Sequence, residues 1–384
     1  MNAAANMTNE IKNVVVIGVG LSGAELVKQL VAQLPSTHRL VAISNSNVAF
    51  FAPAALRAAV VPGWEDKPVV TLSKLVPENS RHKLIINNAV TELHDHHVVL
   101  NKTDPDFGNR INFDYVIIAT GSNYVFPCRP SRSATNVEEV VQQFRQTQRD
   151  IKNSNSILVV GAGPVGIEFA GEVAAQYPDK QVTLVSSSNR LMPAFKSSLG
   201  KDLNQQLQSL GVKIVFGTKL NVENLDSGRI EAKDFDLGSA GIVKADYVMV
   251  AVGNEPNTSL VSRFDSSATN SFRLVKTKPT LQLESHDNMF AIGDITDTDE
   301  TKLMFYATSH VPIIVANIVS LIKGQQASKT YKAQGRGTIV VTCGPKGGAG
   351  QLPFLGGLVI GSWITTMAKS KGLFVGKFRA AFNH

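Results

Sequence analysis

The pattern of apolar and polar positions changes period repeatedly along the chain, and each change predicts an element. Val14-Val15-Val16-Ile17 is an unbroken run of branched apolar residues, as expected of a strand buried on both faces in a parallel sheet. Gly18, Gly20 and Gly23 follow at G-x-G-x-x-G spacing, and Ala24, Leu26, Val27 and Leu30 then fall on one helical face. Arg39 to Ile43 predicts a second strand, Phe50 to Arg57 an aromatic, proline-containing loop, and Lys83 to Ile86 and His97 to Leu100 short strands. Phe113 to Gly121 predicts a strand closing on a Thr120-Gly121 turn. A linker over 127–155 carries a polar helix over 137–150. The opening pattern then returns as Ile157-Leu158-Val159-Val160 with Gly161, Gly163 and Gly166, 143 residues after the first copy. Gln181 to Val185 predicts the next strand, and Tyr247 to Gly253 repeats the strand-to-glycine pattern of 116–121. An apolar helix is expected over 311–322.

Each glycine in such a turn has its own task. The first permits the tight turn, the second lets a pyrophosphate approach the backbone, and the third lets helix and strand pack closely. The phosphates sit at the positive end of the helix. One such turn is weak evidence, but two complete copies in the same order make an internal repeat of dinucleotide-binding units. The fold class that follows is α/β, with two Rossmann-like domains. In such units an acidic residue usually ends the second strand and binds a ribose hydroxyl. Here Ser44 and Ser186 occupy those places. A serine binds a ribose more weakly than a carboxylate. With Ser187, Ser188 and Arg190 nearby, Ser186 leaves room for a 2′-phosphate, so both NADH and NADPH are expected to serve.

Charge adds an asymmetry. The chain has 38 Lys/Arg against 31 Asp/Glu, yet 301–384 holds ten basic residues and no acidic one. The C-terminal part is therefore a surface for something anionic: a membrane, a phosphorylated cofactor or nucleic acid. No aromatic-basic interleaving supports nucleic acid. Between Gly347 and Ala368 no side chain is charged. That run contains Pro353 and six glycines, which argues against a membrane span. It is either a packed strand and helix or an interfacial element flanked by Lys369, Lys371, Lys377 and Arg379. Cys128 and Cys343 are the only cysteines, too few for a disulfide framework, and a reducing compartment is expected. His94 and His96 alternate as two metal ligands on a strand would, but no further ligand supports a site and a solvated hairpin is expected. Residues 1–10 lack the apolar core of a signal peptide and read as a disordered tail, not a secretion signal.

These residues resemble the two-dinucleotide flavoprotein oxidoreductases of the glutathione-reductase-like superfamily. Within it they resemble the apoptosis-inducing-factor family, including its ferroptosis-suppressor quinone reductases. The signposts are Gly18-Val19-Gly20-Leu21-Ser22-Gly23, Ala54-Ala55-Leu56-Arg57, Ala119-Thr120-Gly121, Gly161 to Glu168, Ala251 to Asn257 and Met289 to Asp294. The resemblance implies an FAD domain over 11–153 and 273–330, an NAD(P)H domain over 154–272 and a C-terminal module over 331–384. It places FAD against the first glycine turn with Ser44, Arg57, Val90, Thr120, Gly121 and Asp294. The nicotinamide nucleotide goes to the second turn with Ser186, Arg190 and Gly253. It also implies Glu168 beside the nicotinamide and Lys302 close to the flavin ring.

Each of these has a plainer alternative. Glu168 suits the positive end of a helix, Asp294 suits an N-cap, and Arg57 and Lys302 suit solvent. The disulfide reductases of the superfamily carry a Cys pair that this chain lacks, so electrons are expected to leave the flavin directly. The expected acceptor is a quinone, with an anionic membrane as a peripheral contact. The expected location is cytoplasmic, at a membrane surface such as the mitochondrial outer face or a lipid droplet. The alternatives are a signalling protein with a structural flavin and a reductase of a small redox protein.

Overall fold

Strand β1 (Lys12–Ile17) is fully buried from Val14 to Val16, as its apolar run requires. The computed structural model describes residues 11–131, 133–223, 225–353 and 356–384; the tail expected over 1–10 lies outside the described residues. After β1 come α1 (Leu21–Gln33), β2 (His38–Ile43), α2 (Ala52–Val60), β3 (Lys83–Ile85) and β4 (Tyr115–Ile118). The strands are parallel, with Val16 seated between Ala42 and Ile117. The two faces of β1 bury different partners. Val14 and Val16 meet Leu26, Val27 and Leu30 of α1. Val15 and Ile17 meet Leu93, Val98 and Leu100 of an antiparallel meander built from Val90–Leu93, His97–Asp104 and Gly108–Asn112. On that meander His94 stacks on His97 and pairs with Glu92. Among the described residues no group of three or more His, Cys, Asp or Glu is placed to hold a metal.

The stretch expected as a loop over 50–57 is largely helix α2, a correction with a clear cause. Pro53 lies in its first turn, where its missing N–H costs nothing, and Ala54, Ala55, Ala58 and Ala59 are strong helix formers. Helix α3 (Val137–Lys152) opens on Asn136, whose side chain accepts the Glu139 N–H, while Glu139 accepts from Thr135.

The second unit repeats the first: β5 (Ser156–Val160), α4 (Pro164–Gln176), β6 (Gln181–Val185), α5 (Ser197–Ser209), β7 (Lys213–Val215), β8 (Gly228–Asp236) and β9 (Ile242–Val250). Its sheet runs β7-β6-β5-β9-β8. Val159 sits between Leu184 and Met249, as Val16 sits between Ala42 and Ile117. The chain then returns to the first sheet as β10 (Gln282–Leu283) and β11 (His286–Ala291), completing the order β10-β11-β4-β1-β2-β3. Helices α6 (Met304–Ser309) and α7 (Val311–Ile322) follow. By length and apolarity Met304–Ile322 is sufficient to cross a membrane. In the fold, however, α7 buries Val311, Ile314, Val315 and Ile318 in the core shared with α1.

The C-terminal strands β12 (Ile339–Thr342), β13 (Gly348–Leu352) and β14 (Leu358–Ile360) form an antiparallel sheet, followed by α8 (Ser362–Thr365) and α9 (Val375–Ala381). This module bridges both units. Val341, Cys343 and Ala349 join the core of α4 and α5, so closely that a Cβ on Gly171 would lie 2.9 Å from the Cys343 Cα. Phe378 of α9 instead stacks on Phe51 beside the first unit, with ring centroids 4.8 Å apart. Phe378 is 2% exposed, so Phe378→Ala is expected to cost about 3–5 kcal/mol in urea denaturation. A loss below about 1 kcal/mol would show that α9 is not anchored through this ring.

Candidate functional site

The two glycine turns are built alike. Gly18 has φ +97°, and a Cβ there would lie 2.5 Å from the Ala119 carbonyl oxygen; a Cβ on Gly23 would collide with the Gly18 carbonyl. Around Gly20 a Cβ would meet nothing within 4 Å. In the second turn Gly161 has φ +107° and would strike Val252 at 2.5 Å. Gly166 would collide with the Gly161 carbonyl, and Gly163 again faces open space. Thus the first and third glycines are fixed by packing while the middle one borders room for a ligand. Neither α1 nor α4 has a side-chain cap or an acidic residue in its first turn. The N–H groups of their first turns, which in α4 begin after Pro164, are therefore available to phosphate. Val19 is buried behind the first turn, and Leu21 and Ser22 open α1 half-buried.

Asp294 lies beside that turn: a Cβ on its neighbour Gly293 would lie 3.5 Å from the Ser22 hydroxyl. The Asp294 carboxylate accepts a 2.6 Å hydrogen bond from Ser122 and makes no capping bond. The N-cap alternative is thus replaced by a side-chain contact that leaves one carboxylate oxygen without a donor among the described residues. Ser122 itself was missed at the sequence level. It follows Thr120-Gly121, where the units cross: Thr120 donates to the Asn257 carbonyl at 2.7 Å, and Ser122 pairs with Pro256. Ser44 is buried at the end of β2, its hydroxyl accepting weakly from the Ser46 amide at 3.4 Å. Val90 is half-buried at the start of the meander, opposite Leu100.

In the second unit Ser186 ends β6, buried, and accepts from the Ser188 amide at 3.2 Å. Arg190 donates through Nη2 to the carbonyls of Pro193 and Phe195, while its buried Nη1 has no partner among the described residues. An orphaned guanidinium nitrogen four residues after the ribose position suits a 2′-phosphate, and the absence of an acidic residue suits either nucleotide. Gly253 is exposed with φ +89° on the loop that meets Gly161.

Two side chains expected at the flavin have protein partners. Arg57 was expected against the flavin nucleotide, but it is 2% exposed and held by protein. Its Nε lies 3.0 Å from both Glu172 carboxylate oxygens, Nη2 lies 2.6 Å from one of them, and Nη1 donates to the Ser370 carbonyl at 2.5 Å. Lys302 was expected at the flavin ring. Its ammonium instead donates to the carbonyls of Thr296 and Thr298 and to the Thr298 hydroxyl, bracing the segment after Asp294. Burial pushes that ammonium below the ordinary lysine range.

The lysine at the candidate centre is a different one. Lys369, from the turn after α8, donates to Glu168 at 2.6 Å and to the Val340 carbonyl at 2.8 Å. Glu168 also accepts from the Thr342 amide at 3.0 Å. The pair is nearly buried, with side chains 11% and 13% exposed. It joins the helix that follows the second glycine turn to the C-terminal module. No sequence spacing could have joined two residues 201 positions apart. Both cysteines are buried and unpaired, and burial pushes each thiol up to about 12, so neither is a thiolate at neutral pH.

Comparison with known proteins shows the family of the chain. Residues 12–312 match the family described as pyridine nucleotide-disulphide oxidoreductase. The chain is 29% identical to ferroptosis suppressor protein 1 of Homo sapiens, over 98% of this chain and 97% of that protein. It is 27% identical to apoptosis-inducing factor homolog A of Dictyostelium discoideum, over 98% of this chain and 93% of that protein. Among solved structures it superposes on the sulfide:quinone oxidoreductase of Aquifex aeolicus with a TM-score of 0.70 and 17% identity, over 96% of this chain and 92% of the other.

The Ser186 and Arg190 arrangement predicts that initial rates with NADH and NADPH differ by less than roughly a thousand-fold, about 4 kcal/mol. A larger preference for either donor in steady-state assays would contradict it.

Proposed function

The chain belongs to the pyridine nucleotide-disulphide oxidoreductase family, and from that premise we propose that it is a flavin-dependent NAD(P)H oxidoreductase whose acceptor is a quinone. It binds FAD and uses NAD(P)H, as the family does. FAD, when bound, supplies a two-electron carrier between a nucleotide and an acceptor that need not meet. The residues around the first turn fit its pyrophosphate and ribityl regions: open space at Gly20, free amides at the start of α1, and Asp294 oriented by Ser122. The second turn offers the same cradle to the nicotinamide nucleotide.

The observation that carries the acceptor reading is the Glu168–Lys369 pair. The reaction consumes NAD(P)H, one proton and a quinone and yields NAD(P)⁺ and a quinol. A quinone taking two electrons also takes two protons, so a proton-bearing group must face it. Lys369 is such a group, oriented by Glu168 and by the Val340 carbonyl. In this reading it gives one proton to a quinone oxygen and is reprotonated from solvent, while the second hydrogen of the quinol is the one that NAD(P)H brought. The buried thiols and the lack of a cysteine pair support direct electron transfer to an acceptor over a disulfide relay.

The same module offers a face for the phase in which quinones dissolve. Trp363, Met367 and Ile364 are 74%, 69% and 45% exposed on the outer side of α8 and the turn after it. Lys371 and Lys377 flank them, with Lys377 over the Phe374 ring at 5.8 Å. Exposed aromatic and aliphatic side chains beside lysines, with no acidic residue from 301 onward, suit the interface of an anionic bilayer. A cytoplasmic protein resting on such a membrane is the location this supports.

Two outcomes follow. In anaerobic rapid mixing, Lys369→Met is expected to leave flavin reduction by NADH within about twofold and to slow reoxidation by a soluble quinone tenfold or more, about 1.4 kcal/mol. Unchanged reoxidation would remove Lys369 from the acceptor step. In flotation assays the protein is expected to bind vesicles containing phosphatidylserine better than pure phosphatidylcholine, and Trp363→Ser with Met367→Ser to weaken that binding at least fivefold. Equal binding to both vesicles, or none, would contradict the membrane reading.

A further inference from the structure

Glu168 and Glu172 lie four residues apart on one face of α4, so both point at the same strip of neighbours. Each is buried and each is met by a cation from another part of the chain, Lys369 for Glu168 and Arg57 for Glu172. The two cations are themselves connected. Arg57 crosses from α2 of the first unit, grips Glu172 with Nε and Nη2, and places Nη1 on the carbonyl of Ser370, the residue next to Lys369. The Arg57 guanidinium also lies over the Trp64 ring at 4.9 Å, which fixes its plane.

The turn that Arg57 grips is unusual. Between Thr366 and Ser370 the helix widens, and the Lys371 amide bonds back to Thr366 at 3.2 Å, five residues earlier. Such π-turns are costly and recur at functional sites. Here the hydroxyls of Thr365 and Thr366 are buried without partners among the described residues, so these two threonines do not hold it. External contacts do: Ser370 Oγ donates to the Gly347 carbonyl at 2.8 Å, Lys369 bonds Val340, and Arg57 bonds the Ser370 carbonyl.

We infer that the Arg57–Glu172 pair is a positioning device for the acceptor step: through the Ser370 carbonyl it holds the π-turn at the register that puts the Lys369 ammonium on Glu168. The hydrogen bonds of Arg57 among the described residues go to Glu172 and Ser370. Arg57 acts by tying the first unit, the second unit and the C-terminal module at one point, so that Lys369 is presented only when all three are assembled. The inference rests on the reading of Lys369 as a proton donor to the acceptor.

The geometry requires a fork. The guanidinium meets the carboxylate through Nε and Nη2 and the carbonyl through Nη1 of one rigid fork, whereas a lysine would have a single nitrogen for both. Arg57→Lys is therefore expected to keep flavin reduction by NADH within twofold and to slow reoxidation by a soluble quinone at least tenfold. The burial of Glu172 complicates a single variant, because removing one partner leaves an uncompensated charge. The double variant Arg57→Met with Glu172→Leu removes both charges and restores apolar packing. It is expected to recover the thermal midpoint while reoxidation stays at least tenfold slow, since the Ser370 carbonyl still lacks its donor.

If reoxidation recovers together with the thermal midpoint, the pair is merely structural and the inference falls. If Arg57→Lys leaves reoxidation unchanged while Lys369→Met slows it, the inference alone falls. If Lys369→Met has no effect, the acceptor reading beneath it falls instead.

Discussion

Two carboxylates one turn apart on a buried helix cannot stay charged unless each is given a cation, and the assembly of this protein follows from that requirement. Glu172 is 2% exposed, and burial raises its pKa while the Arg57 guanidinium opposes the rise. Glu168 is satisfied by Lys369 and by a backbone amide. Neither cation comes from the unit that carries the carboxylates. The charges thus demand that α2, α4 and the C-terminal module meet, and the apolar core the three share, with Leu56, Ile167 and Val341, meets the same demand. Buried pairs of this kind are weak sources of net stability, but breaking one is severe, which makes them effective at specifying a single docked geometry.

The glycine turns impose a second, more local constraint. In each, the outer glycines are fixed by backbone carbonyls that a Cβ would strike, and the middle glycine borders open space. Because the same solution occurs twice, in sheets whose registers match around Val16 and Val159, the chain holds two nucleotide cradles of the same construction. What distinguishes them is their surroundings. The first is closed by Asp294, which the chain delivers only after passing through the second unit and returning as β11. The second is closed by the loop at Val252 and by the C-terminal module.

Much of this was legible in the sequence because it is local. Runs of branched residues, glycine spacing and the acid-free C-terminal stretch depend on neighbours along the chain, and Gln181–Val185 and Val311–Ile322 fall where the apolar pattern puts them. The helix at Ala52–Val60 was obscured by Pro53 and flanking aromatics, though proline in a first turn is no barrier. The side-chain roles were less accessible. Arg57 and Lys302 look alike as isolated cations, and only the fold shows that one clasps Glu172 and the other braces Thr296 and Thr298. The same holds for Lys369. In sequence it is one of several lysines beside an apolar run; in space it is the lysine, among the described residues, that reaches Glu168.

The most direct measurement is an anaerobic titration of the FAD-loaded protein with NADH, followed by a soluble quinone, read through the flavin absorbance. The account predicts that about one equivalent of NADH bleaches the flavin and that quinone restores the oxidised spectrum within the turnover time. Failure of both NADH and NADPH to bleach it, or a reduced flavin that quinone leaves reduced, would contradict the account.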